Sequence, residues 1–183
     1  MILKTYDLTG IKQLVCPEDN ANLTLESPAL DIFTDFKQTE PLVVEHTLDI
    51  VTAEDLMKKT HVKLKLVLDQ GNFVGMLAYE DLIGEKALAH ANHLRRSEIL
   101  VSQIMTPRSS LEAIDYIDVK RAKIKDIVET LKNEGRQHFL VIDGKERYIR
   151  GIFSAADIAR RLHVPININR VSTFMDIYRA LDH

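Results

Sequence analysis

Ser154 and Asp157 stand three residues apart, where the strand-like run Tyr148-Ile149-Arg150 to Phe153 gives way to a helical stripe through Ile158 and Leu162. A hydroxyl, a carboxylate and the free N–H groups of a helix start meet there, and such a group can receive a sugar diol and its phosphate. The same pair is also a capping box, which does no more than open a helix. The seven residues Gly151 to Asp157 leave both readings open.

Other chemistry finds little footing. The sequence holds no GxxxxGK phosphate loop, no HExxH and no nucleophile elbow. His90 and His93 share a helix face at metal-ligand spacing, but the neighbouring sequence supplies no third ligand. Cys16 is the single cysteine, so an intramolecular disulfide, a zinc knuckle and a CxxC pair are excluded, and no oriented base accompanies the thiol. The reading is therefore that the chain is not an enzyme.

The 183 residues are 45% hydrophobic and 28% charged, enough apolar material for one compact domain or two closely packed small ones. A net charge of -3 gives no general attraction to nucleic acid or an anionic membrane. The first seven residues lack a basic start and an apolar core, and no 18-residue apolar run occurs, which predicts a soluble, cytoplasmic protein.

The elements that must position Ser154 and Asp157 can be read from pattern. Ser27-Pro28 predicts a capped short helix through Thr34, Pro41 to Val44 a strand, and Thr52-Ala53-Glu54-Asp55 the start of another helix. Leu64, Leu66 and Leu68 alternate with Lys63, Lys65 and Val67 towards Asp69, and Gln70-Gly71-Asn72 turns the chain into a returning strand, Phe73 to Leu77. A long helix is predicted from about Tyr79 to Arg96, weakened by Gly84, followed by a short one ending before Pro107. Leu111 to Tyr116 reads as a strand. Ile124, Ile127, Val128 and Leu131 mark a core-facing helix from Lys123 to Glu134, with Gly135 as its terminator. His138 to Asp143 and Arg150 to Phe153 form a second hairpin; Ile166 to Ile168 and Thr173 to Leu181 add a strand and a helix.

The two halves agree in order. Thr34 matches Thr106 at an offset of 72, Asp69 matches Asp143 at 74, and Gly75 and Asp81 match Gly151 and Asp157 at 76. An offset that drifts only at loops marks a duplicated supersecondary unit, and two copies would bury their sheet faces against each other about a pseudo-twofold axis. The chain divides into an arm (1–26), a first repeat with a linker helix (27–96), a second repeat (97–163) and a C-terminal strand and helix (164–183).

Ile104-Met105-Thr106-Pro107 ahead of a strand-helix-strand, and then Gly151-Ile152-Phe153-Ser154-Ala155-Ala156-Asp157, resembles the cystathionine-β-synthase (CBS) domain, and the duplication resembles the CBS pair called a Bateman module. The likeness runs from Ser27 to Leu162. It implies an α/β (α+β) fold of two β-α-β-β-α repeats, with an adenosine-containing ligand (AMP, ADP, ATP or S-adenosylmethionine) in a cleft between them. By the same resemblance Asp157 would hold the ribose hydroxyls, Ser154 would lie near the ribose or phosphate, Thr106 would contact the adenine end, and Leu111 would pack on the base. His138 falls where some members face phosphate; Arg136, Arg150, Arg160 and Arg161 are near in sequence. Thr34, Lys63 and Asp81 would form a second, weaker site, because Ala78 replaces the serine there at a cost of about 1 kcal/mol as an N-cap.

The resemblance thus implies a regulatory module with no obligatory cofactor that senses an adenosyl compound and modulates a partner protein. It would form a homodimer through the apolar faces Ile124 to Leu131 and Leu82 to Leu94. The alternative is a structural interaction module with vestigial sites. Nucleic-acid binding through Lys120-Arg121-Ala122-Lys123 stands third and would show steep salt dependence.

Overall fold

In the computed structural model the described residues are Thr9, 23–91, 94–132, 137–164, Ile177 and Arg179. Cys16, His93, Gly135, Arg136, the predicted strand 166–168, most of the arm and most of the C-terminal helix lie outside them.

Two hairpins form the two sheet centres. In the first half β1 (Thr34–Asp35) precedes β2 (Val43–Glu45), α1 (Ile50–Lys59), β3 (Leu64–Asp69), β4 (Asn72–Ala78), α2 (Tyr79–Ile83) and α3 (Glu85–Ala91). In the second half α4 (Val101–Ile104) and β5 (Thr106–Pro107) precede β6 (Ala113–Asp115), α5 (Tyr116–Val119), α6 (Ile124–Leu131), β7 (His138–Asp143), β8 (Tyr148–Ser154) and α7 (Ala155–Arg161). The sheets run β2-β3-β4-β5 and β1-β8-β7-β6, so each repeat lends its first short strand to the other repeat's sheet. Both hairpins carry a register shift at the same place, after Val67 and after Val141, which leaves Val74 and Arg150 as the extra residues on the returning strands.

The sheets face each other through Leu66, Met76, Leu140 and Ile152, joined by Leu64, Phe73, Leu111 and Ile149. Helices cover the outer faces, around Ile50, Met57, Val67, Leu77 and Leu82 in one half and Ile124, Val128, Leu131, Phe139 and Phe153 in the other. Strand β3 is buried on both faces, and Lys65 within it is only 8% exposed.

Several boundaries moved for identifiable reasons. The helix after Ser27-Pro28 is a 3-10 turn, Ala29–Ile32, without a side-chain cap. Ser27 Oγ instead accepts from the Thr24 N–H, while Ala29 donates to Ala122 and Ile124 to Ser27, docking this segment along the start of α6. Helix α1 begins at Ile50, capped by Asp49, and not at Thr52: Asp49 Oδ1 accepts from the N–H groups of Val51 and Thr52, and the Thr52 hydroxyl donates to Asp49 Oδ2. The long helix expected from Tyr79 is broken at Gly84, whose ψ of -169° is extended. A Cβ there would lie 2.7 Å from the Glu80 carbonyl, so glycine permits the break. Leu111 to Tyr116 contributes a shorter strand because Asp115 caps α5 through the Ile117 N–H.

Candidate functional site

The exchanged strands assemble the site. Thr106 of β5 pairs with Met76 of β4, and Thr34 of β1 pairs with Ile152 of β8. Each threonine therefore stands beside the hairpin of the opposite repeat. Glycine makes the approach possible, since a Cβ on Gly75 would lie 2.5 Å from the Thr106 carbonyl oxygen, and one on Gly151 would come closer still to that of Thr34.

A cavity of about 480 Å³ opens between the sheets, lined by Leu64, Met76 and Ala78 from β3 and β4, by Glu80 and Asp81 at the start of α2, and by Thr106, Ser110, Leu111 and Glu112 from the second repeat's entry segment. Gln137, His138 and Leu140 of the second hairpin close it. Apolar walls with a few convergent polar groups are the usual make-up of a small-molecule site.

The grouping differs from the one drawn from sequence. Thr106, Leu111 and His138 line this cavity with Asp81, whereas Ser154 and Asp157 are not among its walls. Because β5 crosses into the other sheet, the threonine of one repeat meets the aspartate of the other. Repeat equivalence gives the counterpart: Thr34 lies on the strand beside Ser154, opposite Ile152 two residues earlier. Lys63, exposed just ahead of β3, is the partner of Gln137; their carbonyls accept the Tyr79 and Ala155 N–H groups respectively.

The two helix starts are capped by different atoms. Ser154 Oγ accepts from the Asp157 N–H at 3.4 Å, and the Asp157 carboxylate pairs with Arg160 rather than completing the capping box. At the other start Ala78 has no hydroxyl, and Asp81 Oδ2 accepts from the Ala78 N–H at 3.0 Å. Asp81 Oδ1 accepts from Lys86 Nζ at 2.7 Å, and the same ammonium reaches the Thr106 hydroxyl at 3.3 Å. Asp81 thus retains a structural duty, yet stays at the cavity wall.

His138 faces the cavity from β7 and pairs across the ladder with Ser154. Burial lowers its pKa to about 4, against the smaller opposing pull of the Asp157 charge, so the ring is neutral near pH 7. It cannot offer phosphate a cation there. Arg150 is also taken: its Nε and Nη2 donate to Asp35 at 2.8 and 2.6 Å, and its guanidinium lies 4.4 Å from the centroid of the Tyr116 ring. Arg161 donates to the Asp31 carbonyl. Glu80, Glu112 and Lys86 also stand at this site, and no motif in the sequence marks them, although Glu80 adjoins Asp81 and Lys86 follows it just past the break at Gly84. Among the described residues no group of His, Cys, Asp or Glu could hold a metal ion, and no helix is long and apolar enough to cross a membrane.

Comparison with known proteins matches this architecture twice over. A model described as the CBS domain fits residues 33–87 and again 101–164. An uncharacterized conserved protein from Pyrococcus horikoshii is 21% identical at a TM-score of 0.59, over 79% of this chain and 98% of that one. CBSX2, solved in complex with AMP, is 19% identical at a TM-score of 0.54, over 73% of this chain and 94% of that one. The CBS domain pair of protein MJ0100, solved with 5′-methylthioadenosine and S-adenosyl-L-methionine, is 21% identical at a TM-score of 0.51, over 75% and 94%. No curated protein sequence matches the chain.

Proposed function

The chain belongs to the CBS-domain family as a tandem pair, and on that premise we propose that it is a regulatory module that binds an adenosyl compound between its repeats and modulates a partner protein. The observation that carries this reading is the cavity in which Asp81, Thr106, Leu111 and His138 converge from both repeats. Its volume falls within the range of small-molecule sites, about 300 to 1,000 Å³. A carboxylate can accept from two vicinal hydroxyls at once, each charge-assisted bond contributing about 1.5 to 3 kcal/mol, and an apolar wall such as Leu111 suits a purine face. The complexes of CBSX2 with AMP and of MJ0100 with methylthioadenosine and S-adenosylmethionine support the ligand class.

We place the principal position at Asp81, Thr106, Leu111 and His138, with Thr34, Lys63, Ser154 and Asp157 as its pseudo-twofold counterpart. This reverses the ranking drawn from sequence alone. The protein would act in the cytoplasm as a homodimer without catalysis. The face expected along α6 is spent in its own core, since Ile124, Ile127, Val128 and Leu131 are all at most 3% exposed. Ile83 and Leu88, 53% and 61% exposed, offer the dimer contact instead. Nucleic-acid binding loses support because Lys123 pairs with Glu26 and Lys120 lies over the Tyr116 ring.

Calorimetry against AMP, ADP, ATP, methylthioadenosine and S-adenosylmethionine tests the proposal. Saturable binding of at least one supports it. Heat of dilution alone with all five would leave the structural interaction module as the better reading.

A further inference from the structure

The two adenosyl positions are built from equivalent backbone but carry unlike charge. In the open cavity Glu80, Asp81 and Glu112 bring three carboxylates, and Lys86 is bound to Asp81 at its wall. Neither Glu80 nor Glu112 is paired with a cation among the described residues. At the counterpart position the repeat offsets substitute Ala156 for Glu80 and Lys63 for Gln137, removing a negative charge and adding a positive one. Lys86 has Leu162 as its equivalent, and Arg160 is paired with Asp157 there.

Resting on the ligand class proposed above, we infer that the Asp81 position selects an adenosine compound whose 5′ substituent carries no phosphate, a neutral thioether or a sulfonium cation. Among the described residues, three carboxylates against one lysine give that cleft a formal charge of about -2 near neutral pH, with its histidine uncharged. A phosphate monoester adds a further charge of about -1.5 to -2 and would have to enter this field. In a partly dry cleft, like charges a few ångströms apart repel far more than in water. Among the described lining residues and their ion-pair partners, the one cation such a phosphate meets is Lys86, and only at the expense of its bond to Asp81, the carboxylate proposed for the ribose. A thioether leaves the field undisturbed, and a sulfonium is attracted by it.

Calorimetry on the full chain with methylthioadenosine, S-adenosylmethionine and AMP, in the native protein and in Asp157→Ala, tests this. With the counterpart position disabled, methylthioadenosine or S-adenosylmethionine should bind at least about ten-fold more tightly than AMP, and the gap should narrow at high salt. The double variant Glu80→Gln/Glu112→Gln, made in the otherwise native chain, covers the case in which Asp157→Ala does not fold; it should raise AMP affinity relative to methylthioadenosine by about three-fold or more. AMP binding Asp157→Ala as tightly as methylthioadenosine, or an unchanged ratio in the double variant, overturns the charge selection while leaving an adenosyl ligand in place. A native chain that binds none of the three overturns the charge selection, and one that also binds neither ADP nor ATP overturns both readings.

Discussion

The α-carbon of Gly151 lies so close to the carbonyl oxygen of Thr34 that a methyl group would collide with it, and the same relationship joins Gly75 to Thr106 in the other half. In both cases the glycine follows a bulge residue and admits the strand contributed by the opposite repeat. The exchange of strands decides which threonine meets which aspartate.

Gly151→Ala should therefore be more damaging than Gly75→Ala. At Gly151 the added methyl meets rigid backbone and also the Phe33 ring, 2.7 Å from its Cε2; at Gly75 it meets the Thr106 carbonyl at 2.5 Å and the adaptable Met105 sulfur at 3.0 Å. Losses of about 3 kcal/mol and about 1 to 2 kcal/mol are expected from overpacking. Urea denaturation of both variants checks the order; a midpoint for Gly151→Ala equal to or above that of Gly75→Ala would contradict it.

Asp35 and Arg150 pin β1 to β8, with side chains 9% and 12% exposed. The hydrogen bonds from Arg150 hold the Asp35 carboxyl below its usual range, outweighing the opposing effect of burial. A depressed folded pKa means the contribution is complete above the unfolded value, near 3.9, and disappears as pH falls through the folded one. Asp35→Ala should cost about 1 to 3 kcal/mol at pH 7, because it leaves a half-buried guanidinium without its carboxylate. As pH falls below the unfolded value the difference from native should shrink; stability curves against pH for the two proteins test this.

His138 titrates in a separate window. Its folded pKa of about 4 lies below the ordinary 6.5, so the neutral ring stabilises the fold fully above pH 6.5, and that contribution is lost as pH falls towards 4. The loss is on the order of 3 kcal/mol. His138→Gln should flatten stability between pH 6.5 and 4 while leaving the steeper fall at lower pH. An unchanged slope in the upper window would contradict the shielding of the ring.

Leu88 is the most exposed large apolar side chain among the described residues, at 61%. If α3 carries the dimer contact, Leu88→Glu should shift sedimentation from a dimer towards the 20.9 kDa chain without a change in melting at high dilution. A monomeric native protein at tens of micromolar would remove the homodimer from the account.

The hairpins, the core helix α6 and the duplication were legible in the sequence because each rests on local periodicity: Ile124, Ile127, Val128 and Leu131 can all be buried by one helix face, and Asp69 and Asp143 end equivalent strands. The partnership of Thr106 with Asp81 was not legible, because it depends on a two-residue strand crossing to a sheet formed some 30 residues earlier. Nothing in the local pattern of Ile104-Met105-Thr106-Pro107 says which hairpin it will join. Asp49 was passed over because Thr52 with Asp55 also fits a capping pattern, and only the fold decides where the first turn closes.

Asp81→Asn tests the central claim most directly. Asparagine keeps an oxygen to accept the Ala78 N–H, so the helix start survives with a stability change of about 0.5 kcal/mol or less, while the charged acceptor for two ribose hydroxyls is lost. Calorimetry with whichever adenosyl compound binds the native chain, run beside a melting curve, should show affinity at the Thr106 cleft reduced by about 30- to 1,000-fold, or about 2 to 4 kcal/mol, with the melting temperature nearly unchanged. If Asp81→Asn binds that compound with native affinity and stoichiometry, Asp81 is a capping residue only, and the cavity between the repeats is not where an adenosyl ligand is held.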